Sequence, residues 1–170
     1  MRVIGSMAQP ERDVTAADLH FLARFESCQL TESEWTHLAH IRVAWICLKL
    51  AGDNDALDRI RAGILRYNTE VLNRRHKYHE TVTTAFTRIV ADRLECGEAW
   101  IDFASRIDDL LDARSPALLM YYSAEKLFSN EARETFVDPD LLALPAAKNT
   151  EAGLWRSSRP KKTKPASASS

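Results

Sequence analysis

Residues 31–50 read TESEWTHLAHIRVAWICLKL. With about 100° per residue and His37 as origin, Ile41, Ala44 and Leu48 fall within about 40° of it, whereas Arg42 and Lys49 lie about 120–140° away. One face is therefore apolar and the other charged, which is the pattern of a helix resting on a core. Thr31 and Glu34 have the spacing of a capping box, Thr31 capping the amide of Glu34 and Glu34 reaching back. A helix is expected from about Glu32 to Leu50, with Gly52 as its stop.

The sequence on either side extends the pattern. Between Glu11 and Ser115 there is no proline, and glycine occurs only at positions 52, 63 and 97. Sustained alternation of apolar and polar residues is absent, so strands are not expected. The apolar spacing predicts a helix over Ala16–Ser27 and another from Asp53, as cap, to about Leu72, buried through Leu57, Ile60, Ile64, Tyr67 and Val71. It predicts a fourth from Tyr78 or His79 to Gly97, and a fifth over Glu98–Asp112 burying Trp100, Phe103, Ala104, Ile107, Leu110 and Leu111. Asn73–Lys77 reads as a basic connection. Beyond it, Ser115-Pro116, Ser123 and Ser129 each mark the start of a short helical segment, and Phe136–Pro145 an extended wrap. The expected fold is all-α: one helical bundle of about five main helices over residues 15–154. Residues 1–14 are expected to be flexible, and 155–170 a disordered basic tail.

Three histidines fall on faces that this fold must bury. His37 and His40 lie on the stripe of the second helix, and His79 lies with Val82, Phe86 and Val90 on that of the fourth. A buried polar ring needs a partner, because leaving it unpaired costs about 1–3 kcal/mol. A metal ion is one such partner. His37 and His40, at i and i+3, with His79 from a neighbouring helix, make a three-His set that leaves a position open for water or substrate. Imidazole ligands suit zinc or iron. Glu80, on the flank of the fourth helix, would be a fourth ligand or a general base on metal-bound water, giving a metal-dependent hydrolase acting on a small molecule. The other partner is a hydrogen-bond network joining His37, His40, His79, Glu34, Asn68 and Thr83, in a non-catalytic interaction or small-molecule-binding bundle. His76 repeats the i, i+3 spacing with His79 but sits in a charge run, and His20 is on a polar face.

Weaker signals add little. Glu34 and His37 form one E-x-x-H, and the second that a di-iron bundle needs is missing. No phosphate-binding glycine loop and no nucleophile elbow is present. Cys47 lies on the histidine stripe, where a thiol usually serves as core. Trp35 and Trp45 are expected on opposite flanks of the second helix. Tyr121 and Tyr122 are expected to pack, and Arg42 becomes an anion clamp only if its helix has a second wet face.

Composition bounds the classes. The 170 residues carry 23 basic and 24 acidic side chains, 45% hydrophobic residues and three cysteines. Five of the basic residues fall from Arg156 onward, where no acidic residue occurs, so the body holds 18 basic against 24 acidic, net −6. An acidic body disfavours nucleic-acid binding except through the tail, which would then bind in a salt-dependent way. No run of about 18 apolar residues spans a membrane. An odd set of cysteines without a C-x-x-C pair, behind a start (Met1 or Met7) lacking a signal-peptide stretch, leads to the expectation of a cytoplasmic protein.

Overall fold

Thr15 and Asp18 form a capping box that opens the first helix of the computed structural model, α1 (Ala16–Glu26). The structure describes residues 14–51, 53–112 and 116–146. Within them follow α2 (His37–Leu50), α3 (Asp53–Glu70), α4 (Glu80–Arg93), α5 (Trp100–Ala104), α6 (Ala124–Leu127) and α7 (Asn130–Glu134), and no strand. Short 3-10 turns lie at Arg75–Lys77, Asp108–Leu110 and Leu118–Met120. The all-α expectation is met. Asp53, expected as the cap of the third helix, is the first residue of α3 itself, whereas the cap assigned to Ser115, the stop at Gly52, residues 1–13 and the tail lie outside the described residues.

α2 is the axis of the fold and packs on α1, α3 and α4. Its burial is wider than a single stripe. Val43, Trp45, Ile46 and Cys47 are fully enclosed, because the segment from α5 to Leu110 covers the side away from α3, with Trp100 5.7 Å and Phe103 6.5 Å from the Trp45 ring. This helix starts five residues later than expected. Glu34 does reach back to the Thr31 amide at 2.8 Å, but Arg24 grips the same carboxylate with both guanidinium nitrogens at 2.8 Å. The segment is thereby held as a separate turn, and Thr36 caps α2 through the Ala39 amide. Trp35 consequently precedes the helix instead of riding its flank, and packs between Phe25 at 4.6 Å and His40 at 3.8 Å.

Two other helices are shorter than the spacing predicts. α4 ends at Arg93, and the fifth helix keeps only one turn. Arg106 is drawn back onto Glu98, at 2.5 and 2.7 Å, and onto the Arg93 carbonyl, so the chain bends and seats Ile107 and Leu110 in the core. Val71, expected inside, is exposed because α3 stops at Glu70. Ser123 and Ser129 cap α6 and α7 as anticipated. The segment from Phe136 crosses the body without helix, pinned where the Tyr122 hydroxyl donates to the Val137 carbonyl at 2.9 Å and the Val137 amide donates to Thr81 Oγ1 at 3.1 Å. Among the described residues no helix is long and apolar enough to cross a membrane.

Gly63 sets how closely α1 approaches α3. A Cβ there would meet the Phe25 ring, with Cζ at 2.6 Å, and that ring is wedged between Trp35 and Tyr67, at 4.6 and 6.3 Å. Gly63→Ala gains about 1 kcal/mol of helix propensity but overpacks a rigid contact at about 1–3 kcal/mol. The expected result is a net loss of stability, seen as a lower urea midpoint at unchanged m-value.

Candidate ligand-binding cleft

The three histidines bond to the backbone and build no metal centre. His37, in the first turn of α2, donates from Nε2 to the Leu110 carbonyl at 2.7 Å. His40 donates from Nδ1 to the Thr36 carbonyl at 2.7 Å. His79 is the N-cap of α4: its Nδ1 accepts the Val82 amide at 3.3 Å while its Nε2 donates to the Leu127 carbonyl at 3.0 Å. Both nitrogens of His79 are thus committed, and the ring is held neutral because Nδ1 must keep its lone pair. The His37 and His40 rings lie 6.5 Å apart. Among the described residues no three His, Cys, Asp or Glu side chains come together in a way that could hold a metal ion. This overturns the expectation of a metal-binding bundle acting as a hydrolase through His37, His40 and His79. His37 and His79 found carbonyls from distant segments, partners that spacing along one helix cannot reveal, while His40 shares the carbonyl of its own helix cap, Thr36.

Glu80 is equally committed. Its carboxylate receives Arg61 Nε at 2.9 Å and a close contact from Nη2, Tyr78 Oη at 2.6 Å and Thr84 Oγ1 at 3.0 Å. Burial works to raise its pKa, but these hydrogen bonds and the Arg61 charge prevail and hold it below the usual carboxylate value. It serves as an anion that ties α3 to α4. The wider polar network does not form either, since Glu34 belongs to Arg24 and Thr31. His76 and His20 are exposed. Burial pushes the Cys47 thiol up to about 12, which suits core and not a nucleophile. Arg42 clamps an anion from its own chain, the buried carboxylate of Asp18.

What the histidines do border is a cleft. A cavity of about 410 Å³ opens between the Thr31–Thr36 turn, α3, the 72–79 connection and the start of α4, lined by Trp35, His40, Ile64, Asn68, Arg74, Lys77, Tyr78, His79 and Thr83 among others. Behind it lies an apolar slot of about 80 Å³ lined by Ile41, Ala44, Ile60, Phe86 and Val90, with His37 beside them. His40, Ile64, Val82 and Thr83 border both spaces.

The end of α3 shapes the wall. Leu72 N–H reaches the Tyr67 carbonyl at 3.2 Å and Arg74 N–H the Asn68 carbonyl at 2.7 Å. Asn73 turns the chain at φ 49°, a left-handed conformation that asparagine tolerates better than most residues. The basic run is thereby folded back over the cleft. Sequence shows Asn73–Lys77 only as a basic connection and Asn68 only as a network candidate; that Arg74 and Lys77 border one cleft with Asn68 depends on this turn.

Asn68 is the unusual member. It is 5% exposed, it lines the cleft, and its carboxamide makes no hydrogen bond to the described residues yet is not sealed from solvent, the buried side-chain donors without a partner among the described residues being Trp35 Nε1, in the same lining, and Trp45 Nε1. Its sequence signal is a polar residue four positions after Ile64 and eight after Ile60, within the buried stripe of α3. Burial dominates at His40 and pushes its imidazole down to about 4, with His37 adding to the effect and the Thr36 carbonyl opposing it. His79 is lowered by burial and by Arg133. The polar rings of the cleft are therefore uncharged near neutrality. No protein family, curated protein or solved structure matches the chain.

Proposed function

We propose that the protein is a cytoplasmic small-molecule-binding helical bundle whose ligand sits in this cleft, its polar head at Asn68 and its apolar body directed to the slot. Asn68 carries the reading. Its carboxamide makes no hydrogen bond to the described residues and opens on the cleft, so both its donor and its acceptor stand free to meet a polar group that enters there. The union of an open polar mouth with an apolar recess matches the usual composition of ligand sites. Three cysteines without a disulfide suit a reducing compartment.

The test uses 15N-labelled protein titrated with three six-carbon probes, hexanoate, 1-hexanol and hexylamine, following the Asn68 side-chain amide signals. Saturable shifts with at least one probe are expected, and saturation by none of them overturns the reading. Asn68→Leu is expected to keep or slightly raise the melting temperature, since the carboxamide it removes makes no hydrogen bond within the described residues. The same variant is expected to bind at least tenfold more weakly. A structural asparagine would give the reverse, lower stability and unchanged binding.

A further inference from the structure

We infer that the ligand is a small aliphatic monocarboxylate, its negative charge balanced by Lys77 and its oxygens met by the Asn68 amide. This rests on the cleft being a binding site. The ionised residues that line it are Glu32, Arg74 and Lys77. Arg74 and Glu32 are joined at 2.7 Å and cancel, whereas Lys77 forms no ion pair among the described residues. The cleft therefore holds one uncompensated positive charge. His79 cannot contribute another without giving up the Val82 amide that it accepts. The first turns of α2 and α4 both border the space, through His40 and through Val82 and Thr83. These are the positive ends of two helix dipoles, set against the single negative end of α3. One ammonium and one carboxamide suit a single carboxylate. A phosphate dianion would bring a second negative charge close to Glu32 with no second free cation to meet it.

The body of the ligand follows from the slot. Its walls are mainly aliphatic, with one Phe86 ring, and its volume of about 80 Å³ accepts a short chain more readily than a fused ring. The aromatic side chains of the outer cleft offer little stacking surface. Trp35 is 8% exposed and already packed on Phe25 and His40, and the Tyr78 hydroxyl is held by Glu80 at 2.6 Å.

Calorimetric titration at pH 7.5 with the same three probes separates this inference from the broader reading. Hexanoate is expected to bind at least tenfold more tightly than 1-hexanol or hexylamine. Lys77→Met is expected to bring hexanoate down to the level of the alcohol. Asn68→Asp, of the same size with the opposite preference, should turn the order toward hexylamine. Lys77 is exposed, so its replacement keeps the test valid even if Asn68→Asp does not fold. An alcohol bound as tightly as the acid, or an amine bound more tightly, overturns the carboxylate and leaves the cleft as a binding site. Absence of binding by all three overturns both.

Discussion

Arg42→Ala is expected to be less stable than the wild-type protein by about 3–5 kcal/mol, the cost of removing one partner from a buried ion pair. Asp18 is 2% exposed and Arg42 26%, so most of the loss falls on the carboxylate left behind. The guanidinium meets Asp18 Oδ1 through Nε at 3.1 Å and Nη2 at 2.7 Å. It also lies 4.7 Å from the centre of the Phe21 ring and 5.7 Å from that of Trp100, so Ala also removes packing that joins α1, α2 and α5. Asp18 would keep the amide and hydroxyl of Thr15, at 3.0 and 2.6 Å, which is why α1 should remain capped while docking poorly. Two controls isolate the charge. Asp18→Asn combined with Arg42→Met should recover much of the loss, because a neutral pair leaves nothing ionised inside. The deficit of Arg42→Ala should also narrow at low pH. In the wild type, burial works to raise the Asp18 pKa, but the Thr15 and Arg42 hydrogen bonds outweigh it and lower it from 3.8. Its contribution is thus present above that value and fades as pH falls through the folded pKa. Urea midpoints at pH 7 and pH 3 for the three proteins would check this. An equal deficit at both values would mean that packing, and not charge, holds the pair.

The same pair shows what the sequence could and could not reveal. The second helix was legible because its period is strong enough to survive any packing, and its charged face was placed correctly. That the charged face is covered depends on α1 crossing over it, a long-range fact that no local pattern encodes. T-A-A-D at Thr15–Asp18 was a readable capping signal for α1, but its second use as the counter-charge for Arg42 was not. The histidines failed for a related reason. Spacing placed them inward, as found, and His40 and His79 do share one cleft; but the partners of His37 and His79 are carbonyls of Leu110 and Leu127, 73 and 48 residues away, and His40 turns back to the Thr36 carbonyl of its own helix cap. Thr31–Glu34 misled in the opposite sense: the local motif formed, yet Arg24 from α1 held it apart from the helix it was expected to start. Lys77 and Asn68 became site residues only because Asn73 folds the basic run back over α3.

Lowering the pH from 6.5 to 4 should cost the protein about 3 kcal/mol through His40 alone. In the unfolded chain this imidazole takes up a proton near its ordinary 6.5, whereas in the fold burial holds it to about 4. Between these values the unfolded state binds the extra proton. Stability is therefore full above 6.5 and falls by about 1.4 kcal/mol per pH unit until the folded ring also protonates. His37 stands beside it, 6.5 Å between ring centres, and its charge deepens the effect; the Thr36 carbonyl acts against it. His79 is lowered in the same sense, by burial and by Arg133, and adds to the slope because a protonated ring gives up the Val82 amide. The carboxylates titrate lower. Arg24 and Thr31 hold Glu34 at about 2, and the Asp18 contribution is kept until below 3.8, so the loss above pH 4.5 belongs chiefly to the histidines. Urea midpoints at pH 7.5, 6.0, 5.0 and 4.5 should fall steadily for the wild type and much less for His40→Gln, which keeps a donor for the Thr36 carbonyl without a titrating ring. If the variant follows the wild-type curve, the His40 ring is open to water, and the neutral cleft inferred from its burial is lost with it.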